Sequence, residues 1–140
     1  MTTLTLETAQ AVTEAALAKA REIGSPSSIA VMDAARELLS FARMDGALLA
    51  SAAISQAKAY TARSLDTATR DLDDLAQPGA ALFGLQTSHL AAGRALITFG
   101  GGVPIQVDGE VVGAIGVAGG TPDQDHTVAE AGAAAAKNAR

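Results

Sequence analysis

Residues 96–121, LITFGGGVPIQVDGEVVGAIGVAGGT, constrain the fold more than any other stretch of this 140-residue chain. They hold two strand-like runs, an Asp-Gly hairpin signal at Asp108-Gly109 and eight of the fourteen glycines. Around a pleat, Val111, Gly113, Ile115 and Val117 would share one face, with Val112, Ala114 and Gly116 on the other. Glycine inside a strand is unfavourable by itself. Its repetition implies that another backbone, a helix or a ligand comes very close. The rest of the chain must then supply helices that cover this sheet.

The flanking segments read accordingly. Thr5 is an N-cap with Glu7 in the first turn, and Ala9, Val12, Ala16, Ala20 and Ile23 form one helical stripe that Gly24 and Pro26 end. Ser28–Met32 and Leu38–Ala42 read as strands joined by Asp33-Ala34-Ala35-Arg36, a hairpin turn without glycine. Arg43-Met44-Asp45-Gly46 closes the second of them. From Leu49 to Leu65 the period is helical, with Ala53, Ala57 and Thr61 in one line and Ile54, Lys58 and Leu65 beside it. Thr69 caps a short helix through Leu72, Leu75 and Ala76, and Pro78-Gly79 ends it. Residues 80–94 read as a loop with one helical turn, the expected mobile flap. Thr121-Pro122-Asp123-Gln124 is a capping box that opens a last helix through Val128, Ala131 and Ala135 to a basic end at Lys137 and Arg140. The order is α-β-β-α-α-β-β-β-α. Hairpins near both ends of the chain imply an antiparallel sheet with helices on its faces, an α+β class, in one domain spanning 1–140.

Composition narrows the partners. The chain is 49% hydrophobic and 18% charged, yet has only three Phe, one Tyr and no Trp. Small side chains pack closely but bury little area each, so further burial by self-association is expected and the chain reads as a homo-oligomer. A net charge of −5 argues against a nucleic-acid partner. The absence of cysteine excludes disulfides, thiolate catalysis, zinc–thiolate sites and iron–sulfur clusters. No signal peptide and no spanning helix is visible, which makes a cytoplasmic protein with no membrane partner the expectation.

The glycine run Gly100-Gly101-Gly102 is not a phosphate loop, because Val103-Pro104 follows where a Lys-Ser or Lys-Thr helix start is required. It either packs closely against a neighbour or presents bare amides at Gly101 and Gly102 to a pocket. Gly119-Gly120, opening onto the capped helix, reads as capping rather than anion binding. His89 and His126 lack the spacing of a two-histidine metal site, so no metal is assigned. His126 falls in the first turn of an exposed helix and reads as solvated, whereas His89 sits where a loop can present a haem or metal ligand. Arg43, Asp45 and Lys58 form either a structural ion pair at a strand–helix junction or a polar pocket for a substrate carboxylate or haem propionate.

Taken in order, Ile29-Ala-Val-Met-Asp33, Phe41-Ala-Arg-Met-Asp-Gly46, Ala57-Lys-Ala-Tyr-Thr-Ala62, Gln77-Pro-Gly79, Gly101-Gly-Val-Pro-Ile105, Gly113-Ala-Ile-Gly-Val-Ala-Gly-Gly120 and Gln124-Asp125 give the chain a family likeness over nearly its whole length. It resembles the GlcG/HbpS family of haem-binding or "haem-degrading" domains, also found as the C-terminal part of PduO-type corrinoid adenosyltransferases. The resemblance implies a profilin-like fold with a central five-stranded antiparallel sheet, assembled into dimers or higher oligomers. It implies haem as a ligand of some members and transfers no universal catalytic residue. Two stretches depart from the family pattern: Asp33-Ala34-Ala35-Arg36, where the family has glycine in the hairpin, and Thr87-Ser-His-Leu-Ala-Ala-Gly93, where it is richer in glycine.

Three readings follow. The first is a small-molecule-binding protein for haem or another planar anionic ligand, held between Gly101, Gly102 and Pro104, the Arg43–Asp45 turn and Lys58, with His89 nearby. The second is a metal-independent isomerase, lyase or cyclase using Lys58, Arg43 or Asp45 for proton transfer. The third is a structural or partner-binding domain.

Overall fold

The Thr5 side chain accepts a hydrogen bond from the Thr8 amide and starts helix α1 (Leu6–Glu22), whose Ala9, Val12, Ala16 and Ala20 are buried as the stripe predicts. The computed structural model describes residues 2–137, so Arg140 of the expected basic end lies outside the described residues. Strands β1 (Ser28–Asp33) and β2 (Leu38–Arg43) follow as an antiparallel hairpin. Its glycine-free turn is held by Asp33, whose Oδ1 accepts from the amides of Ala35 at 2.9 Å and Glu37 at 3.0 Å. The cost of the tight turn falls on Arg36, a non-glycine residue at φ +65°.

Helix α2 (Ser51–Leu65) comes next, then 3-10 turns at Thr69–Leu72 and Asp74–Ala76 in place of the short helix the sequence suggests. Residues 80–94 carry two more such turns, Leu85–Thr87 and Leu90–Ala92. Strands β3 (Gly102–Val107) and β4 (Glu110–Ala118) close on Asp108 and Gly109, both at positive φ, the two-residue turn that an Asp-Gly pair favours. Helix α3 (Pro122–Ala135) begins with the full capping box, Thr121 and Gln124 satisfying each other's amides.

The sheet has four strands in the order β2-β1-β4-β3, all antiparallel. The expected five-stranded sheet is corrected here. The run Leu96–Phe99 is strand-like in sequence, but its backbone bonds go elsewhere: the Leu96 amide to the Gln86 carbonyl, the Ile97 amide to Thr61 Oγ1, and the Phe99 carbonyl to the Thr69 hydroxyl. It lies along α2 as an extended segment with no ladder. The face assignment along β4 also changes. The register of β3 against β4 slips between Ile105 and Gln106, so Val112 joins Ile115 and Val117 in one buried cluster.

Three layers result. Helices α1 and α3 cover one face of the sheet, burying Val12, Ala16, Ile29, Val31, Ile105, Ile115, Val117 and Val128. Helix α2 covers the other, over Ala30, Met32, Ala59, Tyr60 and Leu96. Among the described residues no helix is long and apolar enough to cross a membrane.

Candidate functional site

The glycines of β3 and β4 explain how α2 reaches the sheet. A Cβ at Gly116 would run into the Ser55 carbonyl and lie 2.5 Å from the Ala59 amide nitrogen, so the helix backbone rests directly on the strand. A Cβ at Gly102 would lie 2.5 Å from the Lys58 carbonyl oxygen and 2.6 Å from Thr69 Cγ2. Gly101, at φ +131°, leaves the space in which Lys58 ends, since a Cβ there would sit 2.6 Å from Lys58 Nζ. This close approach carries Lys58 into the interior, where it is 1% exposed. Its ammonium donates to the Val117 carbonyl at 2.8 Å and to Asp125 Oδ2 at 2.9 Å, and stands 5.1 Å from the Phe99 ring centre. Asp125 Oδ1 accepts from the Gly120 amide. Burial pushes the Lys58 amine below the ordinary lysine value of 10.5, against the opposing pull of the Asp125 hydrogen bond and charge.

A second cluster surrounds Tyr60, two residues further along α2. Tyr60 receives the guanidinium carbons of Arg36 at 4.7 Å and Arg94 at 4.6 Å from its ring centre. Arg36 Nη1 donates to Tyr60 Oη and Ser64 Oγ, both at 3.1 Å. The His89 ring stands edge-on to Tyr60 at 6.3 Å. About one helical turn towards the start of α2, Ala53, Ile54, Gln56 and Ala57 face Arg94 and Ile97 across an open groove of about 430 Å³.

The structure brings Lys58, Gly101 and Gly102 together, but not with the other residues nominated from sequence. Arg43 and Asp45 are exposed on the turn after edge strand β2, beside Leu17 and Arg21 of α1. Strand β1 separates β2 from β4, whose Val117 carbonyl Lys58 engages. The expected Arg43–Asp45–Lys58 pocket therefore does not form, because Asp125 rather than Asp45 supplies the carboxylate. Pro104 lies on the opposite edge strand, β3, in a shallow depression shared with Glu130 and Ala133 of α3. His89 is half-buried against Tyr60. His126 is a further correction: it is 4% exposed, and its Nε2 lies 3.2 Å from Glu130 Oε1 without hydrogen-bond alignment. Among the described residues no three His, Asp or Glu side chains are grouped to hold a metal.

Sequence reasoning passed over Asp125, Arg36 and Arg94. Asp125 carried a signal, since a capping box at Thr121 fixes residue 125 in the first turn of α3, facing the sheet. Arg36 carried a weaker one in the missing hairpin glycine. Arg94 lies in a stretch with no period to read.

Comparison with known proteins agrees with this architecture. The family model described as haem degrading protein HbpS-like matches residues 4–134. The chain belongs to the HbpS-like family. It is 43% identical over 128 residues to an uncharacterised 15.0 kDa protein in the dhaT-dhaS intergenic region of Citrobacter freundii, covering 91% of this chain and 88% of that one. The crystal structure of Klebsiella pneumoniae protein ORFY superposes with a TM-score of 0.91 at 37% identity, over 97% of this chain and 92% of the other. A crystal structure of a PduOC:haem complex gives 0.87 at 37% identity, over 96% and 95%.

Proposed function

We propose that this HbpS-like chain is a small-molecule-binding protein whose ligand is haem or another planar, anionic molecule. The observation that carries the reading is the groove beside α2: apolar walls at Ala53, Ile54, Ala57 and Ile97, and a guanidinium at Arg94 that also meets Tyr60, whose ring stands 6.3 Å from the His89 imidazole. These residue types fit a porphyrin, which needs an apolar wall for its face, a cation for a propionate and a nitrogen ligand for iron. When bound, haem supplies a redox-active iron. The residues that would hold it are His89 for the iron and Arg94 for a propionate. Lys58, Gly101 and Gly102 would stiffen the helix from behind. Arg43, Asp45 and Pro104 lie outside this groove. The haem complex of a 37% identical relative adds support.

The same reading takes residues 1–140 as one cytoplasmic, profilin-like domain that self-associates. Support for self-association is the exposure of Leu49 at 95% and Phe83 at 65%, with two sheet edges at β2 and β3.

Haem titrated into the pure protein should shift and sharpen the Soret band, and His89→Ala should alter that spectrum. A free-haem spectrum persisting at high protein concentration would overturn the proposal.

A further inference from the structure

We propose that Arg36 and Arg94, gathered on Tyr60, form a carboxylate-recognition site, and that its ligand is a monocarboxylate whose apolar body lies in the adjoining groove. The inference rests on the same groove as the haem reading but on a different observation, the charge balance around Tyr60, where Arg94 lines that groove and Arg36 borders a neighbouring depression with Ser64.

Both guanidiniums lie within 4.7 Å of the Tyr60 ring centre, so the two cations are no further apart than the Debye length of about 10 Å at 0.1 M salt. Like charges held that close repel unless something neutralises them. Among the described residues neither arginine has a carboxylate within ion-pairing distance. The two cations of α2 itself do: Lys58 has Asp125, and Arg63 has Asp66. In a chain with five more acidic than basic residues, two unneutralised arginines on one ring point to an anion from outside.

Arg36 is also held in place. Its backbone occupies the left-handed region, and Nη1 is committed to Tyr60 and Ser64, which leaves Nη2 and Nε for a ligand. Tyr60 Oη accepts from Arg36, so its own proton is available to donate. Arg94 is exposed and reachable.

The setting selects the anion. Tyr60 and Ser64 belong to the last turns of α2, where the helix carbonyls place negative partial charge, which disfavours a phosphate dianion. A planar carboxylate matches a guanidinium fork with a single charge. From Arg94 the groove continues along Ala57, Ala53 and Ile54, so the group attached to the carboxylate should be aliphatic or aromatic. A haem propionate and a small aromatic acid share this chemistry.

The test uses phenylpropionate as the small probe and haem as the large one, each titrated into wild type, Arg94→Gln and Arg36→Asn. Asn tolerates positive φ, and urea unfolding of both variants checks that they fold. Wild type should bind phenylpropionate and reject its methyl ester, and each variant should weaken binding about 10-fold or more, as loss of a charged hydrogen bond predicts. No saturation by phenylpropionate, equal binding of the ester, or unchanged affinity in both folded variants would overturn the inference. A wild-type Soret shift with variant-independent phenylpropionate binding sinks this site and leaves the haem reading standing. Arginine-dependent phenylpropionate binding in a protein that gives no Soret shift does the reverse.

Discussion

Cations meet helix α2 at two places, and the protein treats them oppositely. On the inner face, Lys58 is enclosed by Val117, Asp125 and Phe99, each of its neighbours set by the fold. At the outer end, Arg36 and Arg94 crowd one tyrosine with no carboxylate among the described residues to answer them. An ammonium taken out of water must be paired within the structure, whereas an arginine at a rim keeps its hydration and can wait for a ligand. The difference separates what builds the site from what uses it.

The comparison breaks first at the buried pair. Asp125→Ala leaves Lys58 charged and unpaired in the interior, and should cost about 3–5 kcal/mol in urea unfolding. Lys58→Met combined with Asp125→Leu should recover part of that loss, and a double variant no better than the single one would show the pair is not the cause. The pH dependence has a definite sign. Because burial lowers the folded-state pKa of Lys58, the unfolded chain binds more protons as pH rises towards 10.5, and this group makes stability increase over that window. In Asp125→Ala the opposing interactions are gone, so the increase should begin at lower pH and be larger. Flat stability from neutral pH to 10.5 in both proteins would contradict it.

A smaller effect tests how the inner face closes. Gly116→Ala puts a methyl group against the Ser55 carbonyl and the Ala59 amide, where only helix displacement relieves the clash. We expect a loss of about 1–3 kcal/mol and, since α2 forms one wall of the groove, a weaker haem interaction as well. Full stability in this variant would mean that α2 is not seated on β4 as described. The smallest effect belongs to the outer end. Arg36→Asn removes two hydrogen bonds to hydroxyls but relieves a backbone conformation costing about 1–2 kcal/mol for a bulky residue, so stability should stay within about 1 kcal/mol of wild type. A large loss would make Arg36 a structural residue like Lys58 and erase the contrast.

Legibility in the sequence follows the same division. The stripe of α1, the Asp108-Gly109 turn and the capping box at Thr121 were readable because each depends on neighbours within a few residues. Leu96–Phe99 is ambiguous in sequence because its apolar, β-branched character suits a ladder or an extended segment docked on a helix, and only the position of Thr61 and Thr69 decides which. The glycines announced that something would come close. Whether it was a guest or the chain's own helix depended on α2 residues 43 to 61 positions away.

The α+β class, the starts of α1 and α3, the hairpins and the family were determined by local pattern alone, since caps, turns and periodicity act through short-range backbone sterics and hydrogen bonds. Only the tertiary structure decided that Lys58 pairs with Asp125 rather than Asp45, that β3 and β2 are the sheet's edges, and that Arg36 and Arg94 meet on Tyr60. Those pairings join residues 24 to 67 positions apart, and their distances are set by how α2 seats on a glycine-lined strand, which no window of sequence contains.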